Sequence, residues 1–155
     1  MPQRIIDTHV HTDNSPDGHH SAMYMCERAE MAGLRAIAFT DHVEADAYRR
    51  EHYDRVALQS FIDVTKARSA FCGKLLVCAG VELGQPMYDV KTAEEILSNL
   101  PYDMVIGSVH NFKDEQDFMY LDYSQWDITD LLNRYFDELI KLSRWAKFDT
   151  LAHMT

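Results

Sequence analysis

The chain has 155 residues, room for one domain with a substantial core and too few for two ordinary ones. Its 46% hydrophobic and 26% charged residues are those of a soluble globular protein, and no apolar run reaches the roughly 18 residues that a membrane helix needs. With 15 Lys and Arg against 25 Asp and Glu, the formal net charge of −10 excludes a basic footprint for nucleic acid and argues against an anionic membrane partner.

The opening MPQRIIDTHV has no continuous apolar segment and no small-residue cleavage site, so a cytoplasmic protein is expected. Arg4 to His11 (RIIDTHVH) reads as a short strand, followed by a turn-rich loop, TDNSPDGHH. Ser21 is the N-cap of a predicted helix running toward Leu34, with Gly33 as its stop. Arg35 to His42 (RAIAFTDH) is a second strand. A charged loop carrying Glu44, Asp46, Arg49, Arg50 and Glu51 leads to a helix from about Val56 to Phe71.

Leu75 to Leu83 (LLVCAGVEL) is the third strand, and Thr92-x-x-Glu95 fits a capping box opening a short helix. Asp103 to His110 (DMVIGSVH) is the fourth. A long helix from Thr129 to about Lys147 places Leu131, Leu132, Tyr135, Phe136, Leu139, Ile140 and Leu142 at the helical period. Asp149 to His153 is the fifth strand. Apolar strands alternating with helices define an α/β chain with a parallel sheet, and the absence of repeats and linkers makes residues 1–155 a single domain. Cys26, Cys72 and Cys78 form no C-x-x-C pair; Cys26 and Cys78 read as core residues.

The chemistry gathers where the predicted strands end. His9-x-His11 places two imidazoles on one face of a strand, because side chains alternate with period two. Asp41 and His42 close the second strand, Glu82 the third, His110 the fourth and His153 the fifth. A carboxylate such as Glu82 in an apolar parallel strand is costly to bury without a metal or a paired cation. Taken singly, each residue has a structural explanation. Five consecutive strands ending in metal-competent groups share one: a polynuclear metal site. In (β/α) barrels the C-terminal ends of the strands carry the active site. A complete barrel takes about 250 residues, so five strands cannot close one and the chain reads as truncated at its C-terminus.

The set His9-x-His11, Asp17, Thr40-Asp41-His42, Gly80-Val81-Glu82, Gly107-Ser108-Val109-His110 and Ala152-His153 resembles the polymerase and histidinol phosphatase (PHP) domain family over residues 5 to 153. Gly80 to Pro86 and Gly107 to His110 look most like the monofunctional histidinol-phosphate phosphatases of that family. The resemblance implies a distorted seven-stranded (β/α) TIM-like barrel, of which about five βα units are present here, and up to three divalent ions of zinc, manganese or iron. It implies that His9 and His11 bind a first ion, that Glu82 bridges to a second completed by His110 and His153, and that Asp17 and His42 hold a third. The family's final Asp-x-His has no counterpart after His153.

The implied function is metal-dependent hydrolysis of a small phosphate monoester, L-histidinol phosphate first. Alternatives within the family are a nucleotide or oligonucleotide phosphoesterase and a phosphotyrosine phosphatase. A different class is a non-catalytic metal-binding or assembly domain, self-associating through an unclosed sheet edge. Asp41 is read either as an acid toward the leaving group or as a partner orienting an imidazole. Arg49, Arg50, Arg55, Lys91 and Lys113 are expected at the rim as surface charges, His19, His20 and His52 at the surface, and Tyr88, Phe112 and Tyr120 in core or rim packing.

Overall fold

Alternating apolar runs and amphipathic stretches build an all-parallel sheet in a computed structural model that describes residues 5–154. In chain order the elements are β1 (Ile6–Val10), α1 (Ala22–Met31), β2 (Ala36–Phe39), β3 (His42–Glu44), α2 (Tyr53–Ala70), β4 (Leu76–Gly84), α3 (Val90–Asn99), β5 (Met104–Ser108), α4 (Ile128–Trp145) and β6 (Thr150–Leu151). The strands lie in the order β1-β2-β4-β5-β6, with β3 paired to the upper part of β4. Every strand pairing is parallel, and neighbours follow one another along the chain as in the opening units of a (β/α) barrel. Among the described residues, no helix is long and apolar enough to cross a membrane.

The nine-residue β4 is the axis of the sheet. Its side chains alternate: Val77, Ala79, Val81 and Leu83 pack into the helix-covered core, leaving Gly80, Glu82 and Gly84 on the other face. Beneath β1 and β2, Cys26 and Ala29 of α1 meet Val64 and Ala67 of α2. On the far side, Leu131, Tyr135, Leu139 and Leu142 of α4 pack with Val109 and Phe112.

Several boundaries differ from the sequence expectation, each for a local reason. The second strand is interrupted rather than ended: β2 stops at Phe39 and β3 resumes at His42, both in one register with β4 (Phe39 opposite Ala79, His42 opposite Glu82), and in the gap between them the Asp41 carboxylate takes the Thr12 N–H and hydroxyl. The capping box at Thr92 is not the helix start. Asp89 is the N-cap of α3, its carboxylate taking the Thr92 N–H at 3.0 Å and hydroxyl at 2.7 Å. Asp127 likewise caps α4, and Ser21 caps α1 as expected. Three of the seven α4 apolar residues are outside the core: Leu132, Phe136 and Ile140 are 44%, 46% and 49% exposed, a second stripe beside the buried one. Cys26 is buried and Cys78 half-buried, whereas Cys72 is exposed. Of the first predicted strand, Arg4 lies outside the described residues.

Candidate metal centre

Parallel register assembles the site. His42 stands opposite Glu82 and Glu44 opposite Gly84, so these residues share the face of β3 and β4 turned away from the helices. On β1 the register slips by one residue between Asp7 and Val10, a bulge that re-aims the strand just where His9 and His11 leave it. Ser108 ends β5 and delivers His110 two residues later, and β6 delivers His153 in the same way. The site thus sits at the C-terminal ends of the strands.

Glu82 is its centre, fully buried, with its two oxygens divided between two groups of histidines. Oε2 lies 3.0 Å from His9 Nε2, 3.0 Å from His11 Nε2 and 3.3 Å from His42 Nδ1. Oε1 lies 3.2 Å from His110 Nε2 and 3.6 Å from His153 Nε2. Two further carboxylates, Asp17 and Glu44, approach the same imidazoles. Asp17 approaches His11 Nδ1 at 2.9 and 3.0 Å, and stands 3.5 Å from His42 Nε2. Glu44 Oε1 lies 2.9 Å from His110 Nδ1 and 3.4 Å from His42 Nδ1.

Three sets of donor atoms, each within 4.8 Å of one another, result: His9, His11 and Glu82; His11, Asp17 and His42; His42, Glu82 and His110. His11 Nε2, His42 Nδ1, Glu44 Oε2 and Glu82 Oε2 are buried without a hydrogen-bond partner. Such orphans are rare because they are costly, and here they cluster with lone pairs converging. Imidazole and carboxylate donors in this number suit zinc, iron or manganese, so the residues present fit divalent ions.

The carboxylates and imidazoles also shift one another's titration. Burial opposes the charge on Glu82, but His11, His110, His153 and His9 hold its carboxyl far below the usual range. Burial likewise opposes the charge on Glu44, which His110 and His42 lower to about 2. Burial alone lowers the His11 pKa; Glu82 and Asp17 outweigh it and raise the value to about 9. For His110, Glu44 and Glu82 overcome the same burial and raise it to about 10.

Asp41 sits beneath the site, held by the loop that follows β1 and by α2. It is 2% exposed and accepts from Thr12 N at 2.6 Å, Thr12 Oγ1 at 2.7 Å, Ser15 Oγ at 2.8 Å and Ser60 Oγ. Among the described residues it makes no hydrogen bond or ion pair with a histidine ring. Its influence on His42 runs through Ser15, whose hydroxyl accepts the His42 backbone N–H at 3.0 Å.

Sequence reasoning missed Glu44, although His42-x-Glu44 repeats the period-two spacing of His9-x-His11. It also missed Gln85, which is fully buried at a φ of 46° and accepts the His110 N–H at 3.0 Å. Gln85 donates to Asn111, whose amide in turn donates to Asp46 at 3.1 Å. Among the rim candidates, Arg49 pairs with Glu95 and Asp54, and Arg50 with Glu51, all near the surface. Phe112 is core, Tyr88 half-buried and Tyr120 exposed, while His19, His20 and His52 are at the surface.

A parallel α/β sheet carrying histidines and carboxylates at successive strand ends defines a class, and the chain belongs to the PHP domain family, which matches residues 7–155. Among curated proteins it is similar to the probable histidinol-phosphatase of Deinococcus radiodurans, 26% identical over 158 residues, covering 97% of this chain and 60% of that protein. It is also similar to the histidinol-phosphatase of Lactococcus lactis subsp. lactis, 24% identical over 109 residues, covering 70% of this chain and 40% of that one. A crystal structure of histidinol phosphate phosphatase from L. lactis, complexed with zinc, L-histidinol and phosphate, shares the fold with a TM-score of 0.72 at 20% identity, over 96% of this chain and 57% of that one. The chain therefore spans 60% or less of the length of these relatives.

Proposed function

We propose that this chain carries the metal centre of a phosphate-monoester hydrolase acting on a small substrate, with L-histidinol phosphate as the best candidate. The observation that carries the reading is the division of Glu82, one oxygen facing His9 and His11 and the other His110 and His153. A single carboxylate shared in this way fits a bridging ligand between two ions. In this reading His9, His11 and Glu82 hold one ion, and Glu82, His110 and His153 a second. His42 and Asp17 hold a third. Divalent ions, when bound, lower the pKa of coordinated water and polarise phosphoryl oxygens.

The protein's own part is to pre-position the donors. Glu82 is buried on the central strand and cannot swing away, and Asp41 locks the Thr12 and Ser15 loop that carries Asp17. The choice of substrate draws support from the histidinol-phosphatases to which the chain is similar.

The test is phosphate release from L-histidinol phosphate, AMP and phosphotyrosine by the chain supplied with zinc or manganese. Preferential turnover of L-histidinol phosphate is expected. Preference for either other substrate overturns the assignment. Tight zinc binding with no turnover of any of the three favours a non-catalytic metal-binding domain instead.

A further inference from the structure

Glu44 occupies a seat shaped for a carboxylate. It stands on β3 directly opposite Gly84 on β4, both on the site face. A Cβ on Gly84 would lie 1.6 Å from Glu44 Oε2 and 2.5 Å from its carboxyl carbon, so any side chain there displaces the group. Gly84 is not among the residues of positive φ, so it is space and not backbone conformation that requires glycine at this position. From this seat Glu44 Oε1 reaches His110 Nδ1 at 2.9 Å, while His110 Nε2 faces Glu82 Oε1 at 3.2 Å. Glu44 belongs to none of the three convergent donor sets, whereas His110 does.

We propose that Glu44 is a positioning residue for His110: it accepts a hydrogen bond from Nδ1–H, fixes the tautomer and turns the Nε2 lone pair toward Glu82. A carboxylate behind a ligating imidazole sets both its ring orientation and its basicity. Gly84 is the second half of the device, since only a residue without a side chain leaves the carboxylate room. The proposal rests on the reading of Glu82 and His110 as metal ligands.

Zinc affinity by competition titration, together with long-range proton–nitrogen NMR of the His110 ring in the zinc-loaded chain, provides the test. Glu44→Ala is expected to weaken zinc binding about 10- to 100-fold and to lose the Nδ1–H signature of His110. Glu44→Gln, which keeps an acceptor oxygen, restores most of both. Gly84→Ala reproduces the Glu44→Ala loss in the wild-type background and adds nothing in the Glu44→Ala background. Zinc affinity unchanged in Glu44→Ala, a Gln variant as weak as the Ala variant, or a His110 proton on Nε2 overturns the proposal. His110→Ala separates the two levels: if it too leaves zinc affinity unchanged, the metal-ligand reading has failed and the proposal with it. If it weakens zinc while Glu44→Ala does not, only the role of Glu44 is lost.

Discussion

Asp41 and Thr12, 29 residues apart in sequence, are joined by two hydrogen bonds from the same residue: the Thr12 backbone N–H at 2.6 Å and its hydroxyl at 2.7 Å both donate to the Asp41 carboxylate. With Ser15 and Ser60 also donating to it, this buried group ties β1's exit loop to β3 and α2. Asp41→Ala strands four donors, and unsatisfied buried groups cost about 1–3 kcal/mol each when they cannot rehydrate. A loss of about 3 kcal/mol or more is expected in urea unfolding of chelator-treated protein, with Asp41→Asn less severe. Unfolding like wild type would show that the loop holds itself.

Glu82 faces both histidine groups, so its substitution has a different signature from that of any single imidazole. Glu82→Gln is expected to weaken zinc binding at both ion positions together, while His153→Ala affects only the position shared with His110. Zinc stoichiometry by elemental mass spectrometry, about two or three ions per wild-type chain, reads the difference. Equal losses in the two variants would remove the bridging role.

The metal-free protein should respond to pH through His11 and His110. Their folded pKa values of about 9 and about 10 lie above the ordinary 6.5 of an unfolded histidine, so between those limits the folded chain binds more protons. Their contribution to stability is then complete below about pH 6.5 and is lost as pH rises through 9 to 10. Glu44, lowered to about 2, contributes in the opposite window, with stability present above the usual carboxylate range and lost as pH falls toward 2. Chemical unfolding of chelated protein at pH 6.5 and 9.5 should show the weaker fold at the higher pH. Zinc loading should reduce this difference, because zinc binding displaces protons from the imidazoles. A chelated protein equally stable at both values would contradict the pairing geometry.

How much of this was legible without coordinates differs by residue. That His9, His11, Glu82, His110 and His153 lie near the C-terminal ends of strands followed from apolar runs ending in polar groups, a signal that depends only on local periodicity, whereas His42 is the first residue of β3. The placement of Asp41 did not follow, because its four donors come from residues 12, 15 and 60, whose convergence is tertiary. Glu44 was hidden for a related reason. Read as part of a charged loop, it became a site residue only once β3 paired with β4 and put Gly84 opposite it. The exposed stripe of α4 was illegible too, since helical periodicity marks apolar faces without saying which of them meets the core.

Gly18 offers a test of how the Asp17 loop is held. The loop closes through hydrogen bonds from Asp13 N to His20 O, Ser15 N to Thr12 O and Gly18 N to Ser15 O, at 3.0, 3.0 and 3.1 Å. A Cβ on Gly18 would lie 1.8 Å from the Thr12 carbonyl oxygen, a backbone atom that cannot rotate aside. Gly18→Ala therefore forces the loop outward, carrying Asp17 away from His11 and His42, at a cost of about 1–3 kcal/mol for overpacking. Gly33→Ala is the control. Gly33 has a φ of 79° and open space around it, so its substitution strains the backbone after α1, by about 1–2 kcal/mol, without touching the site. Both variants should unfold at lower urea, and only Gly18→Ala should also weaken manganese binding. Equal metal binding by the two would mean that Asp17 keeps its place despite the displaced turn, and that the loop is looser than its hydrogen bonds indicate.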